Sequence, residues 1–178
     1  LLTEVIKPNL VQTHYGNPAL IHGGPFANIA HGCSSVIGTK LGLKLAEFVV
    51  TEAGFGADLG AEKFINIKCR QAQIEPNVIV LVVTVKALKY NSGENIRLDD
   101  VEQLKKGSVN LIRHIKNLKK FGKPIIVSVN KFEHDTQEEI ELIKEICAKE
   151  SVDCETITSF SVGEDGAIEL AKKVYNLA

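Results

Sequence analysis

The sequence has no methionine and no tryptophan, and it begins at Leu1. A chain without an initiator is expected to be a processed product or a piece of a longer one. Charge of one sign is also missing: 21 Lys and Arg oppose 22 Asp and Glu, for a net charge of -1. No global field is available to hold nucleic acid or an anionic membrane. Long apolar runs are absent. The longest, Val78 to Val83, is far short of the ~20 residues of a spanning helix, and no basic-then-apolar leader opens the chain. Cysteine is sparse: Cys33, Cys69, Cys147 and Cys154 form no C-x-x-C. That is the pattern of reduced intracellular thiols, so a cytoplasmic location is expected. No matched Cys/His clusters stand at ligand spacing, so no metal site is expected. Neither G-x-x-x-x-G-K-[ST] nor G-x-S-x-G occurs, which leaves no phosphate loop and no nucleophile elbow within the chain.

What is present is an ordinary globular composition. Of 178 residues, 44% are apolar and 24% charged, enough to build a core and too apolar for disorder. Short apolar runs alternate with longer helical patterns. Strands are expected at Ala19–Ile21, Glu47–Thr51, Val78–Val85, Pro124–Val129 and Asp153–Ile157. The third and fourth are apolar on both faces, as in strands covered on two sides. Helices are expected over about Ala27–Ala46, with Ile29, Val36, Ile37, Leu41 and Leu45 inward, and over Ala61–Ile65. Asp100–Phe121 reads as one long helix, with Val101, Leu104, Leu111, Ile115 and Leu118 on one stripe and Gly122 as its stop. Thr136-x-x-Glu139 has capping-box spacing before Ile140, Ile143 and Cys147. A last helix is expected over Asp165–Leu177, with Ile168, Ala171, Val174 and Tyr175 inward. The alternation predicts an α/β fold, a mostly parallel sheet with helices on both faces.

Ligands of such sheets collect at the carboxyl ends of strands. That rim would carry the loops His22–Asn28, Glu52–Asp58, Ala87–Gly93, Asn130–Asp135 and Ser159–Gly166. In the first, Gly23 and Gly24 let backbone approach an anion, Asn28 adds a donor, and His22 and His31 can move a proton. A tight turn with structural histidines is equally compatible with that spacing. In the second, Gly54-Phe55-Gly56 matches half of G-x-G-x-x-G, but Leu59 holds the third position and Gly60 is one late. A dinucleotide site is therefore rejected. Glu52 and Asp58 can hold Mg2+ or a polar substrate, or simply solvate the turn. Asn130-Lys131-Phe132-Glu133 is similar to the N-K-x-D motif of GTPases with Glu for Asp, yet no phosphate loop accompanies it. Phe132 and Phe160 close neighbouring loops, an arrangement that holds flat heteroaromatic ligands or belongs to an ordinary core. The lysine runs 105–106, 119–120 and 172–173 read as solvated helix faces.

Longer stretches are more specific. Val11-Gln-Thr13, the run from His22 to Cys33, the run from Val50 to Phe64, and Ile67-Lys-Cys-Arg70 closely resemble the formate–tetrahydrofolate ligase family. Thr84-Val-Lys-Ala-Leu-Lys-Tyr-Asn-Ser-Gly93 resembles a second signature of that family, and Phe121-Gly-Lys-Pro, Asn130-Lys-Phe132 and Asp135-Thr-Gln-Glu also fit. The resemblance runs through essentially the whole chain, in order.

The resemblance implies an ATP-dependent ligase that joins formate to tetrahydrofolate through formyl phosphate, giving 10-formyltetrahydrofolate. It implies a P-loop NTPase-like α/β core, MgATP, a stimulating monovalent cation and a homotetramer. The phosphate loop itself would lie upstream of Leu1, so this chain is expected to be an internal, separately inactive piece. Its expected parts are residues 1–122, a cleft wall with Gly-rich loops, and residues 123–178, the start of the pterin-binding segment. By resemblance, Gly23, Gly24, Phe26, Ala27, Asn28, Glu52, Phe55, Gly56 and Asp58 neighbour formyl phosphate. Phe132, Glu133, Thr156 and Phe160 meet the folate, the two rings as a sandwich. Phe160 stands where the family usually has Trp, and Lys131, Glu133, Asn91–Gly93 and Val162–Gly166 also depart from its pattern. The altered Phe160 and Val162–Gly166 stretch motivates an alternative: a truncated, non-catalytic folate-binding or subunit-pairing module.

Overall fold

The structure, a computed structural model, describes residues 3–22 and 33–178. The chain divides into two compact units, Leu1–Glu75 and Pro76–Ala178. The expected functional partition at 122/123 runs inside the second unit, between two strands of one sheet.

In the first unit β1 (Asn9–Gln12) and β2 (Pro18–Ile21) form an antiparallel hairpin. Its turn closes through Thr13 N–H to Asn17 O at 2.8 Å, with Gly16 at φ 85, a conformation glycine adopts without steric cost. Helix α1 spans Val36–Leu45 and starts where Ser35 Oγ accepts the Gly38 N–H at 3.0 Å. That cap corrects the expected start at Ala27 for the described residues; positions 27–32 lie outside them. The buried stripe also differs. Ile37, Leu41 and Leu45 are exposed, and Gly38, Thr39 and Gly42 are buried. Small residues let the backbone approach closely, and a Cβ on Gly42 would stand 3.3 Å from Val49 Cγ2. Glu47–Thr51 is not a strand, and Val50 is fully solvent-facing. A β run needs a hydrogen-bonding neighbour, and the nearby pairing described is the single bridge Cys33–Ala53.

The expected helix near residue 61 is longer than its pattern. Helix α2 (Gly60–Lys63) continues through a π turn (Phe64–Cys69) into α3 (Arg70–Ala72), stopped by Gln73 at φ 55. The π turn directs Lys68 inward, where it is fully buried.

The second unit carries the parallel sheet β3 (Ile79–Val83), β4 (Ile125–Asn130), β5 (Asp153–Ile157), in the order β3-β4-β5. Registers run Leu81–Val127–Cys154 and Val83–Val129–Thr156. Helices flank it: α4 (Val85–Tyr90), α5 (Val101–Gly107), α6 (Val109–Lys119), α7 (Gln137–Lys149), α8 (Ser159–Val162), a 3-10 turn (Gly163–Ala167) and α9 (Ile168–Leu177). The core packs Val127 and Val129 of the central strand against Val85, Leu88, Leu104, Leu111, Ile115, Ile140, Ile143 and Cys147. Central position explains why β4 is buried on both faces; β3, an edge strand among the described residues, exposes Val80 and Val82. The expectation that β3 is covered on both faces is thereby corrected within this unit.

Three helix expectations also change. Thr84 Oγ1 caps α4 by accepting the Ala87 N–H at 3.0 Å, so Ala87–Tyr90 is helix rather than loop. The long helix is two helices, α5 and α6, because Ser108 turns back to donate its hydroxyl to Leu104 O at 2.8 Å. Helix α9 turns Leu170, Lys173, Val174 and Leu177 inward and leaves Ile168, Ala171 and Tyr175 exposed, since Lys173 reaches Glu155 of β5 at 2.8 Å. The capping box at Thr136 and Glu139 forms as its spacing predicts.

Candidate functional site

The expected residues fall on both units. Gly23, Gly24, Phe26, Ala27 and Asn28 lie outside the described residues. Glu52, Phe55, Gly56 and Asp58 occupy one loop of the first unit, all exposed. Phe55 holds φ 64, a left-handed conformation uncommon for a bulky side chain and a frequent companion of functional loops. The loop closes tightly: Gly60 N–H donates to Gly56 O at 2.8 Å, and a Cβ on Gly60 would stand 1.9 Å from Gly54 O. Gly60 is thus explained by close backbone approach, not by a displaced dinucleotide fingerprint.

Behind that loop sits a polar chain invisible to pattern reading. Lys68 Nζ donates to Ser34 Oγ at 3.3 Å, Ser34 Oγ lies 2.7 Å from Thr51 Oγ1, and the ammonium stands 5.0 Å from the Phe64 ring centroid. Burial pushes the Lys68 pKa down, with Cys33 and Cys69 nearby opposing the shift. Burial likewise pushes the Cys33 thiol up against the pull of Lys68.

In the second unit Phe132 and Phe160 meet at the carboxyl rim of the sheet. Phe132 follows β4 by two residues and Phe160 lies in α8, just after β5. Their centroids are 5.3 Å apart with planes tilted 53°. The two rings touch each other. A flat ligand stacked between them needs about 7 Å, two contacts of about 3.5 Å, so the rings must part to form a sandwich. Phe132 is held by its own turn: its N–H donates to Asp135 Oδ2 at 2.8 Å, and the Asp135 N–H returns to Phe132 O at 3.0 Å. The next strand holds the base of this loop through Lys131 N–H to Ile157 O at 3.0 Å.

The Phe160 side of the rim is compact. Thr158 N–H donates to Gly166 O at 3.1 Å, and a Cβ on Gly166 would meet Ser159 N at 2.6 Å. Thr156 Oγ1 and Ser159 Oγ are buried hydroxyls without a hydrogen-bond partner among the described residues. Such groups are costly to leave unpaired and mark a place where a ligand or ordered water is accommodated. Glu133 is exposed on the Phe132 turn. A cleft of about 580 Å³ opens at the other end of the strands, lined by Ile125, Lys144, Asp153, Cys154 and Lys173.

Sequence reasoning found the ring pair and missed its supports. Asp135 and Lys89 fall within the family-like runs and Glu139 within the capping-box spacing, but nothing in those patterns shows that Asp135 clasps Phe132 or that Lys89 and Glu139 form a buried pair. Among the described residues no three His, Cys, Asp or Glu side chains converge as a metal site, and no helix is long and apolar enough to cross a membrane.

Comparison with known proteins agrees with the signatures. The family model described as formate–tetrahydrofolate ligase matches residues 1–178. A formate–tetrahydrofolate ligase of Pelagibacter ubique (strain HTCC1062) is 53% identical over 180 residues, covering 99% of this chain and 32% of that protein. The chain therefore spans about a third of the length of that relative. With glycine-lined turns, second signature and aromatic rim all inside the matched span, this chain belongs to the formate–tetrahydrofolate ligase family.

Proposed function

We propose that this chain is part of an ATP-dependent ligase that converts formate, ATP and tetrahydrofolate to 10-formyltetrahydrofolate, ADP and phosphate. A formate oxygen attacks the terminal phosphorus of ATP and ADP leaves. The folate nitrogen then attacks the formyl carbon, phosphate departs, and the nitrogen loses its proton. The Phe132–Phe160 rim is the folate side of that reaction, with Glu133 and Thr156 beside it. The loop carrying Glu52, Phe55, Gly56 and Asp58 faces formyl phosphate, together with Gly23, Gly24, Phe26, Ala27 and Asn28. In this reading residues 1–122 are the cleft wall and residues 123–178 open the pterin-binding segment.

The observation that carries the reading is the aromatic pair at one strand-end rim. The rings offer π faces to a pteridine. No described residue is assigned to MgATP, and no phosphoryl-transfer step is routed through this chain's residues. A P-loop NTPase-like core, magnesium, a monovalent cation, a homotetramer and a cytoplasmic setting belong to the proposal for the whole protein.

The test uses the full-length ligase carrying this segment. Removing a stacking ring costs about 1–3 kcal/mol, so Phe132→Ala is expected to raise the tetrahydrofolate KM roughly 5- to 150-fold. The ATP KM should stay within about twofold, because in this reading Phe132 serves the folate alone. An unchanged folate KM would sink the assignment.

A further inference from the structure

We propose that the buried Lys89–Glu139 ion pair is a positioning device that locks the Phe132 turn to the 92–100 stretch and so sets the folate rim. The inference rests on the reading of Phe132 as a folate-stacking residue.

Lys89 lies in the last turn of α4 and Glu139 in the first turn of α7; their side chains are 4% and 1% exposed. Burying two charges takes away their hydration, and such pairs often add no more stability than well-packed apolar residues. The bonds around the pair show what it holds. Glu139 Oε2 accepts the Thr136 N–H at 2.9 Å, and the Glu139 N–H donates to Thr136 Oγ1 at 3.3 Å. Thr136 directly follows Asp135, which clasps Phe132 from both sides. Glu139 Oε1 faces the Lys89 ammonium. Lys89 then donates to Arg97 O at 2.9 Å. Gln103 continues the chain, accepting the Arg97 N–H at 2.9 Å and donating to Asn95 O at 2.8 Å.

Hydrogen bonds on either side of one buried ion pair thus connect the Phe132 turn to residues 95–97. The Phe132 turn follows β4 directly and residues 95–97 follow α4, the helix after β3; β3 and β4 are parallel neighbours. Two segments that share no strand are kept in one register by such a tie, and a buried charge pair has few alternative partners with which to reform.

The experiment is made in the full-length ligase. Glu139→Gln, Lys89→Met and the double variant are compared by KM for tetrahydrofolate, formate and ATP, and by backbone amide exchange over residues 92–98 and 131–136. Each single variant is expected to raise the folate KM about fivefold or more, leave the ATP and formate KM within about twofold, and speed exchange in both stretches. The double variant should be no worse than the worse single one, and Lys89→Arg should recover part of the folate affinity. If Lys89→Met does not fold, Glu139→Gln decides, since its amide can still accept the Thr136 N–H. Unchanged exchange at 92–98 in Glu139→Gln would overturn the inference, as would a parallel rise in all three KM values. Phe132→Ala is run alongside. A folate effect there without one in the pair variants defeats the inference and leaves the folate reading intact. Coupled exchange with an inert Phe132→Ala defeats the folate reading and keeps the tie.

Discussion

Cys147 and Cys154 are neighbours with opposite chemistry. The Cys147 thiol is fully buried in the core, and its hydrogen bond with Cys154 together with burial pushes its pKa well up. Cys154 lies in β5 on the wall of the 580 Å³ cleft; the Cys147 hydrogen bond pulls its pKa down, burial opposes this, and Lys144 assists. Thiolate is the reactive form, so Cys154 is expected to alkylate well before Cys147 when the folded protein is treated with iodoacetamide at neutral pH. Peptide mass mapping over time checks the order; equal rates would mean that the two environments do not differ. At this scale the ring pair Phe132 and Phe160 was legible, because aromatic residues at two consecutive strand ends are visible in a sequence. Lys68 and Lys89 were not. A lysine reads as solvated until a π turn or a buried carboxylate is known to turn it inward.

Among the elements, α4 and α5 depend on one glycine. A Cβ at Gly107 would stand 1.8 Å from Leu88 O and 3.2 Å from Ser92 N. Both are backbone atoms, so relief requires moving a helix rather than a side chain. Gly107→Ala is expected to destabilise the protein by about 2 kcal/mol or more, read as a lower urea midpoint with an unchanged slope; a stability equal to the parent would refute the close approach. Element existence was legible for β3, β4, β5, α6 and α7, where apolar runs or helical periodicity are strong. Element limits were not. Ser108 divides a continuous apolar stripe through one side-chain bond, and Glu47–Thr51 has strand composition without the strand partner that composition cannot supply.

For the whole molecule, pH acts mainly through buried carboxylates. Burial pushes Glu139 up, but Lys89 and the Thr136 N–H outweigh it and hold the carboxyl below its ordinary range; Glu155 is held down in the same way by Lys173 against its own burial. A depressed carboxylate contributes stability that is present above its unfolded value near ~4.3 and lost as pH falls through its folded value. Stability is therefore expected to decline on acidification below about pH 5. Glu139→Gln should lower neutral-pH stability by about 3 kcal/mol, the lower bound for breaking a buried pair, and should show a shallower acid decline. Urea midpoints at pH 7, 5, 4 and 3 check this, and parallel acid limbs would contradict the role of Glu139. Composition and order along the chain were enough to determine the α/β class, the parallel sheet and the family, because hydrophobic periodicity and long signature runs are local properties. Which faces are buried, where Lys68 and Lys89 point, and that Phe132 rests against Phe160 were decided only by tertiary structure. Those outcomes depend on partners distant in sequence, and a side chain's environment is set by what packs against it.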